Sequence, residues 1–455
     1  MKELILLSGL GVLSLIAGLL KLRKYFLITV IAGLLLNIFF CISDWNKQEI
    51  VFNMMVLDNY ALAFTAVSSL IGLLWFVVSA AYFKNDESFS DHFAMVLFAM
   101  TGGLLLVSFT NMVMLFLGIE ILSIPLFVLA GSHKTRLQSN EAAFKYFLLG
   151  AFASAFLLFG IALLYGATGH FDNAGIAAQL GSGQASPMAF AGLLLMLGAM
   201  AFKVSAAPFH FWAADVYQGS PSMITTFMAT FVKTVAFAGF FRLFQSTFLP
   251  LHDTYAIVFA IIAALTMLLA NITASVQDNV KRMLAFSSIS HAGFMSITLL
   301  CMNGNTAGIL LYYTLVYSIS SIIAFTVFKL VKMSSSETEG FGAFNGLIRR
   351  NRMLAALMAF ALLSMSGIPP LAGFMAKFLV FTAAIENGYL WVAICGIIAS
   401  AIAVYYYFKL ILSMFGGAPE YPVFTVPVYQ KLVLIFCGAA LLVLMLIPDS
   451  ITGLL

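Results

Sequence analysis

Residues 200–222 of the chain have the sequence MAFKVSAAPFHFWAADVYQGSPS. They continue an apolar stretch that begins after Pro187, so Lys203 is predicted to lie inside a membrane-spanning helix. Proline lacks an N–H and crowds the carbonyl four residues before it, so the helix should break near Pro208. A lysine at membrane depth costs roughly 2.5–3.5 kcal/mol, and non-helical backbone is tolerated there only inside protein or beside a wet cavity. This combination favours an ion or proton path; the alternative is a lysine that snorkels to the interface.

The composition indicates a polytopic membrane protein. Of 455 residues, 62% are hydrophobic and only 9% are charged, whereas soluble domains carry about 25% charged residues. The cysteines stand apart, and no CxxC pair, nucleotide-binding glycine loop or HExxH motif is present. We therefore expect no metal and no cofactor bound by this chain. The expected surroundings are a lipid bilayer, and nothing in the composition suggests a nucleic-acid partner.

Apolar stretches of about 17–25 residues are candidates for spanning helices. Fourteen such stretches are present in what we predict to be a single all-α membrane domain covering residues 1–455. The first is expected to be a retained helix, not a signal peptide. The predicted spans are 4–20, 25–42, 58–83, 93–109, 110–131, 143–166, 188–212, 222–245, 254–276, 283–302, 306–331, 353–385, 388–415 and 428–447.

The positive-inside rule tests this count. Loops after odd-numbered spans hold 14 basic residues, whereas the opposite side holds 3. A miscounted span would mix the two sets, so the split predicts that both termini lie on the non-cytoplasmic side. The 14 residues are Lys21, Arg23, Lys24, Lys84, Lys134, Arg136, Lys281, Arg282, Lys332, Arg349, Arg350, Arg352, Lys409 and Lys431, against Lys2, Lys47 and Arg242. Lys145 and Lys329 lie near span ends on the basic side, where they could snorkel.

Prolines suggest an internal repeat. The clearest breaks fall at Pro208 in the seventh span and at Pro369 and Pro370 in the twelfth, five spans apart. A five-span repeat reverses its orientation at each copy, and paired broken helices are the usual pointer to a transport site. We predict two inverted repeats with discontinuous seventh and twelfth spans. The predicted units are 1–91 (spans one to three), 92–250 (four to eight), 251–416 (nine to thirteen) and 417–455 (span fourteen).

Glu120 is the only acidic residue near the centre of a predicted span. An isolated buried carboxylate would take up a proton, whereas a nearby lysine would keep both groups charged. Lys203 is the candidate partner. Separating such a pair favours the neutral form of each group, so that either could accept or release a proton. The alternative is a static ion pair that locks two helices together.

Four further residues could take part in a relay. Lys233 lies mid-span, where burial disfavours its charged form. Lys377 follows Pro370 by seven residues, two helical turns, and so shares a face with the break; a snorkelling lysine is the alternative. His291 suits a proton relay because histidine titrates near neutral pH, although a lone histidine is more often an interhelical hydrogen bonder. His210 is a possible relay member, or a cap for the broken helix.

Three motifs resemble the antiporter-like membrane subunits of proton-pumping NADH:quinone oxidoreductase, respiratory complex I. They are FKVSAAPFHFW followed by DVYQGSP at 202–221, VKRMLAFSSISHAGF at 280–294 and SGIPPLAGFMAKF at 366–378. The fourteen spans are similar too, so the resemblance covers essentially the whole chain. Within that family a lysine after the twelfth-span break, here Lys377, distinguishes one type of subunit from another that has glutamate there.

The resemblance implies a paired site of Glu120 and Lys203, a connecting row through Lys233 and His291, and a second half-channel at Lys377. It implies proton pumping in the bacterial inner membrane, beside other membrane-arm subunits of the complex. Those other subunits would use the NADH and quinone. Two alternatives remain open: a monovalent cation/proton antiporter of the Mrp type, and a structural anchor for neighbouring pumps.

Overall fold

A computed structural model describes residues 1–20, 23–83, 89–183, 186–302, 304–336 and 338–455. Within these ranges, eleven helical stretches are long and apolar enough to cross a membrane. In chain order the spans are Lys2–Leu19, Arg23–Ser43, Asn59–Phe83, Phe89–Ser108, Met112–Ala130, Leu137–Thr168, Pro187–Lys203 with Phe211–Gly219, 222–248, His252–Ser275, Val280–Cys301, Thr306–Ser334, Arg352–Ser366 with Ala372–Glu386, Leu390–Gly416 and Val428–Leu446.

The fourteen predicted spans are confirmed, although the eleven stretches do not correspond to them one by one. The stretch Ser222–Ser275 contains two spans. They are separated at Leu249–Leu251, a 3₁₀ turn that includes a proline. The seventh and twelfth spans are each made of two shorter helices, as their prolines predicted.

Polar side chains fix where several spans begin. An N-cap side chain that accepts a hydrogen bond from the first helical turn satisfies a backbone N–H that would otherwise lack a partner. Asn111, Ser186, Asn279 and Asn351 each accept such a bond. Asp58, just before the third span, accepts a bond of 2.8 Å from the backbone N–H of Ala61.

The tenth and eleventh spans form the centre of the molecule. The apolar windows of Val280–Cys301 and Thr306–Ser334 are 100% buried, whereas the windows of the sixth and fourteenth spans are 28% buried. An outer helix presents one apolar face to lipid or to a partner, but a central helix has protein on every side. Polar side chains on the two central spans are therefore available only to other parts of this chain.

Outside the spans the structure adds elements that the sequence analysis left as loops. Glu49–Val51 and Met55–Leu57 form a small antiparallel hairpin, so the chain is not purely helical. Asn173–Gly181 is a helix within the glycine-rich loop after the sixth span. Lys21 and Lys84, which counted toward the charge split, lie outside the described residues. The unit boundaries at 91, 250 and 416 remain a prediction.

Candidate functional site

The first helix of the seventh span ends at Lys203. Ser205 has a φ of 63°, the Ala207–Pro208 peptide bond is cis, and the helix resumes at Phe211. Lys203 is only 8% exposed. Its Nζ donates a hydrogen bond of 2.6 Å to Ser123 Oγ on the fifth span, so the ammonium points into the protein and does not snorkel.

Glu120 lies one turn before Ser123 on the same helix, and its carboxylate accepts a hydrogen bond from Ser154 Oγ on the sixth span. Both members of the predicted pair are described, and they form no direct ion pair, although Lys203 lies close enough to sense the charge of Glu120. The hydroxyl of Ser123, and not the carboxylate of Glu120, accepts the hydrogen bond from the Lys203 ammonium. A cavity lined by Ser123, Ser154 and Lys203 has about 20 Å³ open to the centre of a water molecule, enough for about one water.

Four aromatic side chains connect Lys203 to the next lysine of the site. The Lys203 Nζ lies 6.0 Å from the centre of the Tyr146 ring, which stacks on Trp212 with centroids 4.6 Å apart. Trp212 in turn meets Tyr217 edge-on at 6.3 Å. Tyr217 lies beside Ser288 and Tyr317 of the central spans. The second half of the seventh span therefore bridges the fifth and sixth spans to the centre.

Lys233 lies in the eighth span, directly after a π-helical turn, Met228–Val232. Such turns widen a helix locally and are frequent at functional sites. Lys233 is 3% exposed. Its Nζ donates to both the backbone oxygen and the hydroxyl of Ser288, at 2.5 and 2.6 Å, and it lies 5.6 Å from the centre of the Tyr317 ring.

His291 is one turn beyond Ser288 on the tenth span and 5% exposed. Its Nδ1 lies 2.9 Å from the hydroxyl of Tyr313, and its ring centroid lies 4.8 Å from that of Tyr317. Both Lys233 and Lys377 act on it electrostatically. His291 therefore lies within electrostatic reach of both lysines, and it also forms the interhelical hydrogen bond of the alternative interpretation.

Lys377 lies in the second helix of the twelfth span and is 5% exposed. Its Nζ donates 2.9 Å back across the break to the carbonyl of Ser366, the last residue of the first helix, and 3.1 Å to Ser400 Oγ. It also lies 4.6 Å from the centre of the Phe294 ring. A positive charge at a helix C-terminus is electrostatically favourable. The snorkelling alternative for Lys377 does not fit these contacts.

The two breaks have the same local design. A residue of positive φ, Ser205 or Gly367, stands three positions before the proline of a cis peptide bond. The next residue in each case, Ala206 or Ile368, donates its N–H to the carbonyl five positions back. Each break thus ends its first helix with a lysine ammonium at or near the C-terminal turn. This likeness is what paired broken helices of a repeat require.

His210 has different contacts from the other candidate residues. It occupies the N-cap position of Phe211–Gly219, but its side chain makes no cap hydrogen bond. The ring stacks on Phe211, and its Nδ1 has no hydrogen-bond partner. The capping role suggested for His210 therefore lacks its hydrogen bond, and the relay role stays a prediction.

The two lysines that were expected to snorkel behave differently. Lys145 forms ion pairs of 2.7 Å with Glu141 and Asp215. Lys329 is 3% exposed, because the eleventh span is central and no lipid-facing side is available to it. The sequence alone could not distinguish a central span from a peripheral one.

The hydroxyl groups that bind the charged groups were missed by sequence reasoning. Isolated Ser and Tyr residues in apolar helices carry no distinctive pattern. Only the spacing of three residues between Ser123 and Glu120, and between Ser288 and His291, gives a hint.

A second buried network was missed as well. Asn271 donates 2.6 Å to Ser290 Oγ and accepts 2.9 Å from the hydroxyl of Tyr406, joining the ninth, tenth and thirteenth spans.

A polar pocket opens where the second half of the seventh span ends. It is lined by Lys145, Asp215, Gln218, Arg282 and neighbouring residues, and about 200 Å³ is open to water centres. Asp215 is bridged by Lys145 at 2.7 Å and by Arg282 at 2.8 Å. We call this pocket the vestibule. It lies on the side of the molecule to which the basic loops belong.

Among the residues that the structure describes, no group of three or more His, Cys, Asp or Glu side chains could hold a metal ion.

Broken helices around buried ionisable side chains define a transporter-like membrane protein. Comparisons with known proteins give the particular family. The profile described as "NADH:quinone oxidoreductase/Mrp antiporter, TM" matches residues 110–403. The chain is 41% identical over 456 residues to NADH-quinone oxidoreductase subunit N of Cytophaga hutchinsonii, covering 99% of this chain and 98% of the relative. It is 41% identical over 458 residues to the subunit N of Flavobacterium psychrophilum, covering both chains completely.

Solved structures agree. A chain of respiratory complex I from Thermus thermophilus with bound aureothin has a TM-score of 0.84 at 32% identity, over 99% of this chain and 98% of that one. A chain of the Mrp complex from Dietzia has a TM-score of 0.86 at 19% identity, over 100% and 96%, a likeness that extends to the fold alone. The chain belongs to the NADH:quinone oxidoreductase/Mrp antiporter family, among the subunits N of NADH-quinone oxidoreductase.

Proposed function

We propose that this chain translocates protons in the membrane arm of respiratory complex I, and that the protons pass along Lys203, Lys233, His291 and Lys377. The observation that carries the proposal is their shared burial. Four ionisable side chains from four spans are each 8% exposed or less, and each is hydrogen-bonded to a hydroxyl or carbonyl of another helical segment.

The energetic cost of the buried lysines favours a functional role for them over a purely structural one. Each lysine at membrane depth costs roughly 2.5–3.5 kcal/mol on the insertion scale. A static bundle gains little from three such residues, because an apolar side chain of similar volume packs at least as well as a buried charge. A proton path needs them, because an ammonium can release a proton to a hydrogen-bonded neighbour and take another up.

The contacts suggest how protons move. Lysine carries three donors, and a hydroxyl both donates and accepts, so Ser123, Ser288 and Ser400 can accept from the ammonium and pass a proton onward. The Tyr317 ring lies against both Lys233 and His291. Small cavities beside the site, one of them lined by His291, each have room for about one water. The partner subunits would supply the driving force through NADH oxidation and quinone reduction.

Glu120 is partly exposed, whereas the lysines and His291 are buried. It acts on Lys203 through its charge and not through a direct bond. A carboxylate at that distance favours the protonated lysine, and neutralising the carboxylate would favour proton release. Glu120 is therefore the group through which an event elsewhere in the complex could change the charge of Lys203.

The expected location follows from the family and from the charge split. Subunits of this kind in bacteria belong to the inner membrane, beside other membrane-arm subunits. The basic loops would then face the cytoplasm, and both termini the opposite side.

The direct test replaces Lys203 by alanine in the assembled complex. NADH-driven proton uptake into proteoliposomes should fall about tenfold or more, since the row loses one of its proton-carrying groups. Lys47→Ala is the matched control, because Lys47 is 66% exposed and pairs only at the surface with Asp44. Unchanged pumping by an assembled Lys203→Ala complex would overturn the proposal. Sodium-dependent pH changes in vesicles that contain this chain alone would favour the antiporter alternative.

A further inference from the structure

Lys281, at the beginning of the tenth span, is a buried ionisable residue that the proposed row does not use. It is 2% exposed. Its Nζ donates 3.0 Å to the carbonyl of Gln218 and also donates to the carbonyl of Ser220. Both carbonyls belong to the C-terminal end of Phe211–Gly219, where backbone acceptors lack intrahelical partners. The ammonium of Lys281 therefore fastens the end of the broken seventh span to the tenth span.

The fastened turn carries Tyr217. Tyr217 lies beside the side chain of Ser288, and so does Tyr317. Ser288 in turn holds the Nζ of Lys233 through both of its oxygens. A hydroxyl on the broken helix is thus placed one step from a lysine of the row.

The tenth span determines how Lys281 and Ser288 are placed relative to each other. Lys281 and Ser288 are seven residues apart, so they lie on one helical face, about 10 Å apart along the axis. Lys281 binds the end of the broken helix, and Ser288 binds Lys233. If Lys281 releases the turn, Tyr217 loses one of the contacts that hold it relative to Ser288; the bond from Thr225 Oγ1 to the Tyr217 carbonyl remains.

The vestibule reaches this same turn. Gln218 and Gly219 line it, and Gln218 Oε1 accepts 2.8 Å from Arg282. About 200 Å³ open to water centres is space for several waters. Water in the vestibule would stand next to the turn that carries Tyr217, and the vestibule lies on the side of the basic loops.

The charges around Lys281 come from several elements. Lys332 in the last turn of the eleventh span, Glu339 after that span and Arg136 before the sixth act on it. Arg282 and Asp215 form the neighbouring ion pair of the vestibule. Glu339 accepts 2.6 Å from Lys332 and 2.8 Å from Asn279. Burial alone would raise the pKa of Glu339. The charge of Lys281 and these hydrogen bonds outweigh burial and hold that pKa below its usual value.

We propose that Lys281 is a positioning residue for proton entry: it holds the end of the broken seventh span so that Tyr217, Ser288 and Lys233 stay aligned between the vestibule and the row. The inference rests on the proposed function and adds to it the place where protons join the row. Lys281 acts through Tyr217 and is not itself a carrier in this scheme.

The test measures the pH profile of pumping per assembled complex. In Lys281→Met the delivery of protons should become limiting, so pumping should stay near normal at low pH and fall as pH rises. At pH 8 we expect a loss between about threefold and about a hundredfold, the range that misplacing a reacting group by one ångström can cause. Lys281→Arg keeps the charge and the donors, and should keep the normal profile. Lys409→Met, at a partly exposed lysine on the same side, is the matched control.

A capping role without a role in proton entry would lower the amount of assembled complex and leave the profile per complex unchanged. That result overturns the inference. If Lys281→Met does not assemble, Tyr217→Phe decides, because it keeps the buried ring and removes only the hydroxyl. An unchanged profile there also overturns it. Loss of pumping in Lys203→Ala with normal profiles in these variants would leave the proposed function standing and remove Lys281 and Tyr217 from it.

Discussion

Gly367→Ala perturbs the second break in a way that can be worked out from the structure. Gly367 has a φ of 84°, a left-handed conformation that costs an L-residue roughly 1–2 kcal/mol. A Cβ built there would lie 2.8 Å from Lys377 Cδ, where ordinary contact begins at 3.4 Å. The lysine side chain must therefore move by at least about 0.6 Å. Its Nζ bonds to Ser366 and Ser400 would lengthen as a result.

Gly388→Ala is the matched control for the backbone effect. Gly388 has a φ of 82°, and nothing lies within 4 Å of the position of its Cβ. Both variants should thus lower the dissociation temperature of the purified complex by a similar small amount. Only Gly367→Ala displaces a lysine of the proposed row.

The assay compares NADH oxidation with proton uptake in proteoliposomes. We expect Gly388→Ala to pump normally and Gly367→Ala to lose about tenfold, because displacing a proton-transferring group by part of an ångström lowers transfer steeply. Normal pumping by both variants would refute the placement of Lys377 in the path. Equal losses in both would attribute the effect to backbone strain and not to the lysine.

Two further predictions follow from buried contacts. Ser123→Ala removes the hydroxyl that accepts the hydrogen bond from the Lys203 ammonium; leaving that charged donor unsatisfied should cost about 1–3 kcal/mol, and proton uptake should fall several-fold, with Ser123→Thr retaining most of it. Glu339→Gln tests the loop after the eleventh span: its pKa is held below 4.5, so its stabilising effect is present above that value and is lost as pH falls through the lower folded pKa. The stability difference between wild type and Glu339→Gln should be constant from pH 6 to 8 and vanish in acid; a difference that grows with acidity would contradict this sign.

The spans and the breaks could be predicted from the sequence because local physics determines them. A stretch of about twenty apolar residues is typical of a membrane-spanning helix. The split of basic residues between the two sides supported the number of spans. Pro208 and Pro370 break a helix wherever they stand in one. The buried lysines could be singled out for the same reason, since Lys203, Lys233 and Lys377 sit far from any span end.

The partners of those lysines could not be predicted, because they depend on which helices become neighbours. Ser123 lies 80 positions from Lys203 in the chain, and Ser288 lies 55 from Lys233. A direct pair of Glu120 and Lys203 was the simplest expectation, yet a hydroxyl one turn away takes the ammonium. Apart from its spacing of three residues from Glu120, nothing local distinguishes that serine from others in apolar helices.

The sequence by itself determined that this chain spans a membrane fourteen times, that two spans break, and that lysines lie at depth, because hydropathy and proline geometry act within a few residues. Tertiary structure alone decided that the tenth and eleventh spans are central, and that Lys329 and Lys281 are therefore buried. Burial and hydrogen-bond partners are properties of packed helices, and packing joins residues that no local pattern connects.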